Sequence, residues 1–565
     1  MDLEQVKETD IWSLYQQGRT YLNILNVYSD TDKNYRMYNG DQWDGLNIKG
    51  IEKIQLNFIK PVVKYKTGMV LTNLYAVNYS SENFENKDFR KQAEKICKLL
   101  NKKSNKIWEH DYMDLKLRAV VKDSAINDEG LIYVNYDKIN KTPVNEIINK
   151  VDILYGNEND SDIQNQPYII VKQRKSVIET RNIAKANGVS DEEIQLILGD
   201  NDSIDSAGDS SKYEKDDMCT LLTKMYKENG KVYYEQAVKY VDIKKKTNSG
   251  MKYYPVAHML WEEKKGSARG EGEVRFLIPN QIEVNRTAMR RAIAIKNTAY
   301  PQKVVAIDKV QNPSSINEVG GIVKIKGQTV EDVNKIFGHI NPAQMSTDVE
   351  KLQNELISAT RELAGAGEIA TGEINPEDAS GKAILAVQQA SNMPLSEHIA
   401  NLKGFVEDLA RIWLDMITVY NKDGIELEDI ETDPNTGEEI VNIIKVPQES
   451  LIELQASVKV DITPRSAFDK YAQEMSIENL LKNGYFSQQK LGELKTYVRL
   501  LDDDSVMPKQ KLEEAIKYME EEQRKIAEIQ AQAQLMQQRA NQFINGDINE
   551  QASMINDAQQ QIQAQ

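Results

Sequence analysis

The chain has 565 residues, a formal charge of -16, 40% apolar residues and 28% charged residues. That length holds about three or four domains' worth of chain, and the acidic excess excludes a general nucleic-acid coat, so any contact with a polyanion must be local. No run of about 18 apolar residues occurs, so no membrane span is expected, and the start M-D-L-E-Q-V-K-E-T-D carries neither the basic nor the apolar region of a secretory leader. Two cysteines in unrelated contexts, Cys97 and Cys219, exclude a disulfide framework and fit a reducing cytoplasm.

To about Ala125 the chain reads helical, with Asp10 placed to cap I-W-S-L-Y-Q-Q-G-R-T-Y-L and Asp88 to cap F-R-K-Q-A-E-K-I-C-K-L-L. The turn-rich piece from Tyr38 to Gly45 interrupts these helices, because Gly, Asn and Asp tolerate tight turns. From Leu131 the pattern changes to short β-branched and aromatic runs, L-I-Y-V-N-Y, V-D-I-L-Y and P-Y-I-I-V-K. Asn229-Gly230 is the strongest hairpin signal in the chain. Ser176 to Leu198 reads as helix and Gly199 to Asp217 as a surface loop.

A basic helix then begins near Gly272 and ends before Pro301. Between Glu283 and Asp308 it holds no acidic residue, while Arg286, Arg290, Arg291, Lys296 and Lys303 all fall there. Such a run usually marks a solvated face, but in an acidic chain it also suits phosphate. At 100° per residue, Arg286 and Arg290 share a face with Ile282, Met289 and Ile293, whereas Val284, Arg291 and Ile295 lie opposite. Apolar residues on several sides call for neighbours on both flanks.

After Pro301 two short runs, K-V-V-A-I and G-G-I-V-K-I, suggest a small β module that is too short to stand alone. A helix follows from Pro342, then the glycine-rich stretch A-G-A-G-E-I-A-T-G-E-I-N, which is a poor helix former. Glu377 to Asn421 reads as one long helix with a kink at Pro394. A β-like return (Ile425 to Thr463) turns at Asp433 to Gly437, and the terminal helices place Leu512, Ile516, Met519, Ile526, Ala533 and Ala540 near a 3–4 spacing. The Gln-rich tail beyond Ala540 is expected to be flexible.

Catalytic motifs are missing. There is no G-x-x-x-x-G-K-[ST] and no G-x-S-x-G, and Gly270-Glu-Gly272 lacks the spacing of a dinucleotide fingerprint. His110, His258, His339 and His398 are scattered, without a second ligand at metal spacing. Glu262-Glu263 and Asp502 to Asp504 are read as solvated acidic faces. No catalytic residue, metal ligand or cofactor is assigned, and the chain is not read as an enzyme.

Three local signatures, in this order and spacing, resemble the portal proteins of tailed double-stranded-DNA bacteriophages. They are Y-R-M-Y-N-G-D-Q-W-D-G (Tyr35 to Gly45), N-F-I-K-P-V-V-K-Y-K-T-G (Asn57 to Gly68) and S-G-K-A-I (Ser380 to Ile384). The likeness spans about Trp12 to Ala540 and implies an α+β, portal-type fold assembled as a ring, usually of twelve subunits. It implies a mixed α/β wing (1–268), a two-helix stem (269–300 and 342–363), and a small β-containing clip (301–341). It also implies a tunnel loop (364–379), a long kinked helix with a return to the wing (380–465) and a helical crown (466–540). The tail at 541–565 lies outside this common core.

The resemblance also implies a role. The ring would sit at one capsid vertex of the virion, assembled in the host cytoplasm with major capsid or scaffolding protein. Double-stranded DNA would pass through it without sequence specificity. A separate terminase would drive packaging, and head-completion or adaptor proteins would dock for tail joining and ejection. Within such a channel, Glu368, Ile369, Ala370, Thr371, Gly372 and Glu373 are expected to line the narrowest part, and Arg286 and Arg290 to form a basic band. Arg291 or Lys296 would pair with a neighbouring subunit, whose strands would complete the clip sheet. The competing reading is a non-enzymatic cytoplasmic scaffold that binds a partner through its C-terminal helices. A nuclease reading has no acidic constellation to support it.

Overall fold

The computed structural model describes residues 7–43, 53–74, 77–81, 87–200, 218–299, 302–317, 322–326, 336–340, 348–365, 393–432, 439–455, 458–462, 465–466 and 509–563. The chain divides into two compact units, Met1–Thr463 and Pro464–Gln565. The first is a mixed α/β unit and holds everything that positions the basic helix.

Five helices open it: Asp10–Ile24, Val27–Asn39, Ile59–Val70, Lys87–His110 and Met113–Ile126. The cap of the first is Thr9, not Asp10. Thr9 holds an extended backbone and its hydroxyl oxygen accepts from Trp12 N at 3.3 Å, so Asp10 becomes the first helical residue. Two antiparallel sheets follow. The strand Glu129–Asp137 sits between Thr142–Ile148 and Val256–Leu260 in a three-stranded sheet. A five-stranded meander runs Ile153–Tyr155, Tyr168–Ser176, Met218–Glu228, Lys231–Ala237 and Asp242–Asn248. Asn229 and Gly230 both hold positive φ (50° and 72°) at its tight turn, where Glu228 pairs with Lys231, as a primed hairpin turn requires. The helical reading of Ser176 to Leu198 resolves into Val177–Ala186 and Asp191–Ile194, each capped by a serine, with Gly188 at φ 80° between them. The acidic loop expected to Asp217 lies outside the described residues from 201 on.

The long helix Ser396–Tyr420 packs on the three-stranded sheet and buries Leu402, Phe405, Leu409, Trp413 and Ile417. Trp413 donates its indole N–H to Asn145 Oδ1 (2.8 Å) and meets Trp108 edge-on. Pro394 sits in a 3-10 turn, Met393–Leu395, ahead of this helix rather than inside it. The part of the expected helix before 393 lies outside the described residues. The return forms the hairpin Ile425–Thr432 with Glu439–Val446, and Val458–Ile462 then pairs antiparallel with Val77–Ser81. That pairing joins the last strand of the unit to its first quarter.

In the module after the basic helix, the run at Lys303 pairs inside its own chain. Gln302–Val305 runs antiparallel to Phe337–Ile340, and Val310 bridges to Ile325. The sequence reading passed over F-G-H-I as a strand, because Gly338 and His339 dilute its β signal.

In the second unit the described residues are a two-residue strand, Arg465–Ser466, and one helix of 55 residues, Lys509–Gln563. The Gln-rich tail, expected to be flexible, is helical to Gln563. Gln, Ala, Glu and Lys are good helix formers, and no proline interrupts them.

Candidate functional site

The basic helix runs from Glu273 to Ala299 and carries Pro279 inside it. Its partner, Asp348–Leu363, lies antiparallel. Asn280 donates to Thr360 Oγ1 (3.0 Å) at one end, and Arg291 meets Glu350 (2.8 Å) at the other. Leu277, Gln281, Val284, Asn285 and Ala288 face the unit's interior. Arg286 and Arg290 stand on the opposite side, 56% and 67% exposed.

One carboxylate serves both of these arginines. Glu283 lies 3.6 Å from Arg286 and 3.4 Å from Arg290, so the trio keeps one net positive charge. Exposed pairs of this kind contribute at most about 1 kcal/mol. Arg291 pairs with Glu350 of its own chain. The apolar side of the helix outruns its cover, with Ile295 62% exposed. The other expected channel residues, Glu368 to Glu373, lie outside the described residues, as does the signature Ser380 to Ile384.

The remaining two signatures converge on this helix. Gln281, fully buried, accepts from the backbone N–H of Phe58 (3.0 Å) and Ile59 (3.4 Å) and donates to Leu56 O (2.7 Å). Asn285 accepts from Leu56 N and donates to Gln42 Oε1. Asn57 in turn donates to Tyr38 O (3.0 Å). Lys66 forms a buried pair with Glu273 at 2.7 Å. Residues of Tyr35 to Gly45 and Asn57 to Gly68 therefore form the cradle of the basic helix. Gly40 allows the chain to turn into that cradle, at φ 100°.

Sequence reasoning passed over the root of the helix. Arg269, 5% exposed, donates to Glu129, to Glu158 (3.0 and 3.1 Å), and to the carbonyls of Lys150 (3.1 Å) and Ile153 (3.2 Å). Its guanidinium also lies over the Tyr155 ring at 4.9 Å. Glu129 further accepts from Tyr155 Oη (2.8 Å) and meets His258 Nε2 (2.9 Å). Burial alone would raise the Glu129 carboxyl, but Arg269, His258 and Lys150 outweigh it and hold the group at about 2. Asp128 is raised instead, because burial outweighs its pairing with Lys150. Gly270 and Gly272 complete the junction. A Cβ on Gly270 would lie 2.5 Å from Glu262 O, and one on Gly272 would lie 2.6 Å from Asn127 C and O. The Gly-Glu-Gly motif is thus a close-packing device. The one sequence signal for all this was a lone Arg next to paired glycines.

Among the described residues no group of three or more His, Cys, Asp or Glu could hold a metal ion. No helix of the described residues is long and apolar enough to cross a membrane. A comparison with curated proteins returns no match. Residues 26–565 match the family described as phage P22-like portal protein. That match takes in both cradle signatures and both helices of the antiparallel pair, so the chain belongs to the phage P22-like portal protein family.

Proposed function

We propose that this chain is the subunit of a ring, usually of twelve copies, that forms the DNA channel at one vertex of the phage capsid. Portal proteins are structural components of the virion, and the match over 26–565 is the observation that carries the reading. It favours the ring over a scaffold that binds through its C-terminal helices. In this reading the pair Glu273–Ala299 and Asp348–Leu363 is the stem, and the module at 301–341 is the clip. The unit before it is the wing, and the terminal helix up to residue 540 belongs to the crown. Double-stranded DNA passes through without sequence readout. A separate terminase drives packaging, and adaptor proteins dock later for tail joining and ejection.

The channel works by weak contact. A mostly acidic or polar lining lets phosphates slide, whereas a continuous basic lining would trap them through counterion release. Arg286 and Arg290, tied among the described residues to Glu283, supply a narrow basic band, and Glu368 to Glu373 line the constriction. The clip takes its strand pairing within the chain, so its outer edges serve docking rather than the lock between subunits. A negative-stain image of the purified protein tests the whole reading, with a ring and an axial hole as the expected result. A monomer or dimer at high concentration would refute it. Arg286→Glu with Arg290→Glu should leave the ring intact and impair packaging, and loss of the ring in that variant would sink the lumen assignment.

A further inference from the structure

Where the three-stranded sheet, the five-stranded meander and the end of helix Ser396–Tyr420 meet, there is a cavity of about 230 Å³. Four of its lining residues are tyrosines: Tyr133, Tyr136, Tyr234 and Tyr420. Tyr136 and Tyr420 stack, with ring centres 4.6 Å apart and planes 21° from parallel. Burial first, and then the neighbouring phenols, push Tyr420 to about 12 and Tyr133 upwards too. These hydroxyls stay protonated and remain donors at any physiological pH. The Tyr136 hydroxyl lies beside the Asn421 amide, whose nitrogen donates to Ile417 O at 2.7 Å.

The charge of the lining is unusual for this chain. The protein has 87 Asp and Glu against 71 Lys and Arg, yet no described lining residue is acidic, and Lys138 is the cation among them. The carboxylates that influence the phenols have donors of their own. Glu146 accepts from Asn135 and Gln173, and Asp415 accepts from the backbone N–H groups of Lys252 and Tyr253. The apolar share of the lining comes from Val134, Met225, Val232, Met251 and Met416. A half-open pocket in which several polar groups converge beside apolar walls can hold a small ligand that has both a polar head and an apolar body.

We propose that this cavity binds a small organic anion, a carboxylate or phosphate monoester on a compact apolar body. The phenol hydroxyls and Lys138 take the anionic head, and the methionines and valines surround the body. The site is separate from the basic helix, and its test does not depend on ring formation.

Calorimetric titration of the full chain with benzoate, phenyl phosphate and neutral benzyl alcohol at constant ionic strength tests it. One or both anions should bind, and the tighter one identifies the head group. Benzyl alcohol should bind at least tenfold more weakly. Tyr136→Phe with Tyr420→Phe keeps both rings and should weaken anion binding at least tenfold. The surface variant Lys138→Gln, which leaves the packed residues untouched, should weaken it several-fold. The proposal is overturned if neither anion binds at millimolar concentration, if benzyl alcohol binds as tightly as the anions, or if the variants bind like the parent chain.

Discussion

Replacing Arg269 with methionine removes the guanidinium that holds the root of the basic helix. The side chain is 5% exposed and makes contacts to two carboxylates and two carbonyls. Methionine nearly matches its length but leaves Glu129, whose side chain is 0% exposed, with the hydrogen bonds of His258 and Tyr155 and the more distant charge of Lys150. It also leaves Glu158 without its cation. Breaking a buried pair from one side costs about 3–5 kcal/mol, since the charge left behind is uncompensated. For a unit spanning Met1–Thr463, whose unfolding entropy is about 1 kcal/mol/K, that corresponds to a fall in Tm of roughly 3–5 °C. Thermal unfolding followed by tryptophan fluorescence reads this directly, because Trp261 and Trp413 are both fully buried in the same unit. Adding Glu129→Gln to the Met variant should recover part of the loss, because the stranded charge is then gone while an acceptor for Tyr155 remains. A Met variant that melts within about 1 °C of the parent would refute the reasoning. So would a double variant whose loss is the plain sum of the two single losses.

Gln281→Leu strips acceptors from the N–H groups of Phe58 and Ile59 and should destabilise the unit by roughly 2–6 kcal/mol, with hydrogen exchange rising first at those amides. Glu129 carries a pH dependence of defined sign. Its folded pKa of about 2 lies below the ordinary 4.5, so its contribution is complete above pH 4.5 and is lost as pH falls towards 2. Asp128, with a raised pKa, opposes this, so the comparison to make is acid unfolding of the parent against Glu129→Gln, in which that part of the acid limb should vanish. Gly272→Ala forces a methyl group to within 2.6 Å of the Asn127 backbone and should cost about 1–3 kcal/mol in urea unfolding. Gly404→Ala, on helix Ser396–Tyr420 with nothing within 4 Å of the added carbon, should instead raise stability by about 0.5–1 kcal/mol.

Local chemistry was legible wherever it acts over a few residues. Asn229-Gly230 announces its turn because both positions need positive φ, and the basic helix announces itself by its charge run and by the proline beyond it. The family could be read from Tyr35 to Gly45 and Asn57 to Gly68, but not the reason those residues matter. Gln281 and Asn285 look like ordinary polar helix positions until the fold brings the backbone of Leu56 to Ile59 against them, more than 220 residues away in sequence. Arg269 stands in the sequence as a lone arginine beside paired glycines, and only the packing of distant segments shows that it is buried among carboxylates. The strand Phe337–Ile340 was hidden for a similar reason, since pairing with Gln302–Val305 outweighs the weak propensity of its glycine and histidine. By itself the sequence determined turns, helices, charge pattern and kinship, because these rest on intrinsic propensity and composition. Tertiary structure alone decided which polar groups are buried and with whom they pair, because desolvation and partner geometry exist only once remote segments share one interior.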